Sequence, residues 1–249
     1  MTGAYLAFLV ALGGAIFLGV STQRISGVGF ALVASPFLVV LLGPFNGILV
    51  INVFGSLTAL TVFFHVIRLV EFRRAFLMMI PAIIAIIPGS WVAVNMPSDL
   101  LSILIGAMII GALVASLLVK EAVIFRGRFG AVLAGAISGF MNVTAGVGGP
   151  AVTAYAVATR WPQTSFAATA QLYFFGVGVA SLVAKHSYPL LDAVQWVTCA
   201  IALVVGVIAG NLIAPHVPER VSRFVVVALA FTGAIVILVK GLIAVATGS

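Results

Sequence analysis

The sequence predicts an all-α polytopic membrane protein made of two inverted-topology repeats, each with five apolar segments. Three observations predict it. Of the 249 residues, 63% are hydrophobic and only 7% charged, with a mean hydropathy of +1.34. A soluble domain carries roughly 25% charged and 45–50% apolar residues, so this chain cannot cover a water-facing surface. Most of its apolar residues fall into runs near the ~20 that a helix needs to cross a bilayer, and landmarks of the first half recur in the second.

The segments follow from their punctuation. The first, 4–22, ends at Gln23-Arg24-Ile25-Ser26-Gly27-Val28-Gly29. Before it there is no Lys or Arg and no A-x-A cleavage site, so it reads as a retained span rather than a signal peptide. A shorter run, 30–42, stops at Gly43-Pro44, and 45–66 leads to the basic loop with Arg68, Glu71, Arg73 and Arg74. Segment 75–94 closes at Asn95-Met96-Pro97-Ser98-Asp99, and 100–119 runs into Lys120, Glu121, Arg126 and Arg128. The second half has runs at 129–141, 151–158, 164–184, 193–214 and 224–245.

The halves match landmark by landmark. Gly27-Val28-Gly29 falls on Gly146-Val147-Gly148 at an offset of 119 (146 − 27), which also carries Asn52 onto Gln171. Gly89 and Pro97 map onto Gly210 and Pro218 at 121 (210 − 89). The expected organisation is one integrated membrane domain: repeat 1–119, cytoplasmic hinge loop 120–128 and repeat 129–249. An odd number of crossings per repeat inverts the second half. Ten basic residues (Arg24, Arg68, Arg73, Arg74, Lys120, Arg126, Arg128, Arg160, Arg220, Arg223) then share one side, against Lys185 and Lys240 on the other. The positive-inside rule makes the first side cytoplasmic and the termini exterior. Eight to ten spans result, depending on whether the glycine-broken pairs cross fully or re-enter.

The chemistry concentrates at the breaks. Residues 135–150 hold Gly135, Gly139, Gly146, Gly148, Gly149, Ser138, Asn142, Thr144 and Pro150 within an apolar chain. Broken backbone at membrane depth is tolerated only where protein buries it or where it lines a cavity. A helix restarting after each break presents unpaired N–H groups and partial positive charge, which favour an anion. The expected anion site is Ser21, Thr22, Gln23, Arg24, Gly27 and Gly29 from the first break, and Asn142, Thr144, Gly146, Gly148 and Gly149 from the second. Asn52 and Gln171 complete it as matching mid-segment amides. Arg24 is either a ligand or an ordinary cytoplasmic charge. Gly206 and Gly210 are assigned to close helix packing.

Several classes are set aside. The +7 net charge reads as cytoplasmic-loop bias, not nucleic-acid binding. Cys199 is the only cysteine, which excludes a disulfide within the chain and a cysteine metal site. No Gly-x-Ser-x-Gly elbow or His-Glu-x-x-His motif occurs, so no enzyme, catalytic residue, metal or cofactor is expected. All five acidic residues lie in or beside loops, leaving no intramembrane carboxylate to relay protons. This favours export, because an anion leaving a negative interior runs down the potential.

At these motifs the chain resembles the sulfite exporter TauE/SafE family, the 4-toluene sulfonate uptake permeases. The resemblance rests on Gly27-Val28-Gly29 with Pro36, and on Gly135, Gly139, Gly146-Val147-Gly148-Gly149-Pro150 and Tyr155. It implies a multi-pass carrier of the bacterial inner membrane for sulfite, sulfoacetate or other sulfonates. The expected function is therefore a secondary exporter of small sulfur-containing anions. The alternatives are a passive anion or small-solute channel and an organosulfonate uptake permease. Expected partners are the small anion and the lipid bilayer, with a homodimer as a compatible assembly.

Overall fold

The computed structural model describes residues 3–26, 29–118, 123–217 and 219–247. Gly27, and Lys120 and Glu121 of the expected hinge, lie outside the described residues. Ten α-helices occupy the described chain: α1 (Gly3–Ser26), α2 (Phe30–Leu42), α3 (Pro44–Val66), α4 (Phe72–Asn95), α5 (Ser98–Leu118), α6 (Gly127–Ala145), α7 (Gly149–Ala158), α8 (Gln163–Lys185), α9 (Ala193–Ile213) and α10 (Glu219–Thr247). Six of the helical segments in the described residues are long and apolar enough to cross a membrane. Large apolar side chains such as Val10, Ile84, Trp91 and Leu212 are exposed along them, as lipid contact requires. The protein is a multi-pass membrane protein.

Helix boundaries follow local chemistry. Pro44, which has no N–H to lose, opens α3 after Gly43. Asp192 caps α9 by accepting from the Gln195 N–H at 2.8 Å, and Gln195 Oε1 accepts from the Asp192 N–H, completing a capping box. The end of α6 is set by Gly146, whose φ of +74° is left-handed and whose N–H reaches the Asn142 carbonyl at 2.9 Å. α2 starts at 30 and α7 at 149, α3 at 44 and α8 at 163. Each pair of starts differs by 119 (149 − 30 and 163 − 44).

Two glycine seams hold the frame. Along α4 and α6, a Cβ on Gly135 would meet the Met78 carbonyl oxygen at 2.1 Å, and one on Gly139 the Ala82 carbonyl oxygen at 2.3 Å. Along α1 and α9, Gly206 lies against Val20 and Phe17, and Gly210 against Arg24 and Ser21. Residue numbers rise together along both seams, so each pair is parallel. In α5 and α10 they run oppositely: Gly106 faces Ala234 and Leu238, while Gly241 faces Asp99 and Ile103.

Hydrogen bonds between connections define the two ends of the bundle. At one, Tyr5 donates to Asp192 at 2.6 Å and Asn46 exchanges bonds with the backbone of Leu190. At the other, Trp161 Nε1 donates to Glu71 at 2.6 Å, Arg74 pairs with Glu71 at 3.2 Å, and Arg74 stacks over the Trp161 ring. α1 therefore enters from the first end and α6 from the second. α2 and α7 have 13 and 10 residues, or about 20 and 15 Å of rise. Neither spans a ~30 Å hydrocarbon core.

Gly139→Ala pushes α4 off α6, and overpacking of this kind costs about 1–3 kcal/mol. Its thermal melt in detergent should fall below the parent's. Gly111→Ala, with nothing within 4 Å of the new Cβ, should hold or rise. A second prediction concerns pH. The Tyr5 hydroxyl, and then the Gln195 N–H, hold the Asp192 carboxyl below its ordinary range. A depressed carboxylate adds stability at neutral pH and loses it as the pH falls through the folded-state value. Asp192→Asn should therefore flatten the acid limb of the melting-temperature profile, and an unchanged limb would refute that role.

Candidate functional site

Between the two breaks lies a cavity lined by Gln23 from α1, Gly29 to Leu32 at the start of α2, and Ile51, Asn52, Gly55 and Ser56 of α3. Asn142 of α6, Gly146 to Gly149, and Phe174 and Gly178 of α8 close it. The first turns of α2 and α7 thus both face one space. Neither Gly29 nor Gly148, the two N-cap residues, supplies a capping side chain, so first-turn N–H groups remain for a ligand or water. The space open to the centres of water-sized molecules is about 50 Å³, so the cavity has room for water.

Two donors in this wall have no partner. Asn52 is 3% exposed and Ser56 5%, and neither Asn52 Nδ2 nor Ser56 Oγ makes a hydrogen bond. Each such orphan costs roughly 1–3 kcal/mol when buried. They stand four residues apart, on one face of α3. Gly178 makes room for them, since a Cβ there would lie 2.2 Å from Ser56 Oγ. Asn142 Oδ1 accepts from Ser181 at 2.8 Å, leaving the Asn142 NH2 to offer.

The wall is held from behind. Ser138 Oγ donates to the Gly148 carbonyl at 2.7 Å, and Ser35 Oγ to the Ala145 carbonyl at 3.0 Å. These bonds satisfy carbonyls of the second break and fix it against α6 and α2. Gln23 Nε2 donates to Gln171 Oε1 at 3.0 Å, and Gln171 Nε2 to the Ala167 carbonyl at 2.9 Å. Asn52 and Gln171 each stand eight residues inside their helices, so they lie about 12 Å from opposite ends.

Of the residues expected from sequence, Gln23, Gly29, Asn52, Asn142, Gly146, Gly148 and Gly149 meet around this cavity. Gln171 stands behind Gln23. Four others point elsewhere. Ser21 donates to the Gly206 carbonyl at 3.2 Å. Thr144 bonds back to the Phe140 carbonyl at 2.6 Å. Thr22 does not line the cavity. Arg24 donates from Nε to Asn211 Oδ1 at 2.6 Å, with a second nitrogen on the same oxygen. The guanidinium is turned toward α9 at the basic end, away from the cavity. Sequence reasoning missed Ser56, Ser181 and Ser138; the four-residue spacing of Asn52 and Ser56 was the signal that pointed to the first.

The sulfite exporter TauE/SafE family model matches residues 11–237, nearly the whole chain. The chain belongs to this family, a family of transporters. No curated protein and no solved structure matches it.

The orphan donors give opposite signs for two serines. Ser56→Ala deletes a buried group with no partner, so the ligand-free protein should melt at or above the parent temperature. Ser181→Ala strips the partner from Asn142 and should lower stability by about 1 kcal/mol. Equal losses in calorimetry would show that Ser56 Oγ is satisfied after all.

Proposed function

We propose that this protein is a secondary exporter of a small sulfur oxyanion, sulfite foremost, held between the first turns of α2 and α7. The observation that carries the reading is the pair of orphan donors, Asn52 Nδ2 and Ser56 Oγ, in the same wall as those two helix starts. Donors without acceptors call for an acceptor-rich ligand, and an oxyanion is one.

The inverted repeat explains the symmetry of the site. The recurrence of helix starts at 119 and the entry of α1 and α6 from opposite ends support it. Each half contributes one short helix, one break and two amides, Gln23 and Asn52 from the first and Asn142 and Gln171 from the second. The cytoplasmic side is then the end with Arg68, Arg73, Arg74 and Arg160, both termini face outward, and the membrane is the bacterial inner one. An anion leaving that compartment gains about 2.3 kcal/mol per charge per 100 mV, so export proceeds without a coupling ion.

Purified protein in liposomes should move sulfite down an imposed potential with saturable kinetics. Asn52→Leu keeps the volume but removes the amide. Hydrogen bonds to charged groups are worth about 1.5–3 kcal/mol, so affinity should fall about 10- to 150-fold. Gly148→Leu forces a side chain into Ser138 Oγ, 2.6 Å from the Cβ, and should abolish transport. Arg24→Ala should leave the affinity near parental. Wild-type rates in both cavity variants would sink the site.

A further inference from the structure

We propose that the cavity takes its substrate as a monoanion, hydrogensulfite rather than the sulfite dianion, because its wall offers hydrogen bonds and no charge. This rests on the sulfur-oxyanion reading above and adds the charge state that the site selects. Among the described residues, no Lys, Arg, His, Asp or Glu lines the cavity. The titratable side chains on the six lining helices are Tyr5, Arg24, His65, Arg128, Tyr155, Tyr173 and Lys185, and all stand outside it. Arg24 is turned to Asn211. The Tyr173 hydroxyl donates to the Gly135 carbonyl at 3.4 Å. Lys185, buried at the exterior end of α8, faces the Phe45 ring at 6.0 Å.

Charge decides what such a wall can hold. The cost of moving an ion out of water grows as the square of its charge, so a dianion pays about fourfold more than a monoanion of the same size. A full positive charge in contact would offset that. Here the compensation comes from neutral donors: Asn52 Nδ2, Ser56 Oγ, the Asn142 NH2 and the partial charges of two helix starts, about half a unit each. Together these suit a net charge of one.

The test compares anions of one shape and two charges. Methanesulfonate and sulfate are both tetrahedral and of similar size; the first is a monoanion and the second a dianion at neutral pH. Binding to the full chain in detergent is measured by calorimetry, one unit below and one unit above the pH at which free hydrogensulfite loses its proton. The expected result is methanesulfonate binding that does not change with pH. Sulfite, counted as total concentration, should weaken about tenfold at the higher pH, as the monoanion fraction falls. Sulfate should bind at least about tenfold more weakly than methanesulfonate. Asn52→Leu should weaken methanesulfonate and sulfite alike, which ties both to this cavity.

Sulfate binding as tightly as methanesulfonate overturns the monoanion assignment but leaves the oxyanion reading intact. So does sulfite binding that is flat or stronger at the higher pH. If none of the three anions binds at either pH, the oxyanion reading itself fails, and this inference falls with it.

Discussion

Backbone N–H groups buried at membrane depth must find an acceptor, and the arrangement of this molecule follows from that constraint. Water is absent there, and an unmet polar group costs several kcal/mol in hydrocarbon. α2 and α7 both begin inside the bundle, after Gly29 and Gly148, with no side-chain cap. Their first-turn donors therefore need an acceptor in the cavity, which water or a ligand can supply. Everything around the two helix starts keeps them open, facing each other and shielded from lipid.

The packing explains how this openness survives. The seams between α4 and α6 and between α1 and α9 close to backbone contact at Gly135, Gly139, Gly206 and Gly210. Such contacts admit no sliding without clashes, so these pairs behave as rigid ribs. Ser138 and Ser35 then tie the carbonyls on the far side of the second break. Two carbonyls of the break, Ala145 and Gly148, are thereby satisfied, while no side chain caps the first turn of α7. On the proposed reading this makes a structural irregularity into an anion site, which Asn52 and Ser56 extend onto α3.

Much of this was legible in the chain. Glycine, proline and amide residues interrupting apolar runs marked both breaks, and the 119-residue spacing joined Asn52 to Gln171. The polar side chains that line the cavity, Gln23, Asn52, Ser56 and Asn142, are those whose presence in a membrane needs a reason. What sequence adjacency cannot convey is rotation. Gln23 and Arg24 are neighbours, but α1 continues through Ser26 and turns about 100° per residue. One therefore meets Gln171 on α8 and the other Asn211 on α9. Thr144 was ambiguous for a different reason: a threonine in a helix can bond its own carbonyl four residues back, as it does here to Phe140. Ser56 was passed over because a lone serine in an apolar segment looks ordinary until its orphan hydroxyl is seen.

The displacement of Arg24 bears on turnover. A guanidinium inside the cavity would bind an oxyanion through two charge-assisted bonds, and release would then require breaking both. Conduction and carriage need binding strong enough to admit a ligand and weak enough to let it go. On the proposed reading, amides, a hydroxyl and two helix starts provide that intermediate strength. With its charge held against Asn211 at the basic end, Arg24 still contributes to the positive field that gathers anions at that mouth. The proposed function thus separates attraction at the mouth from moderation at the site along α1, at Arg24 and Gln23, one residue apart in sequence and on different faces of the helix.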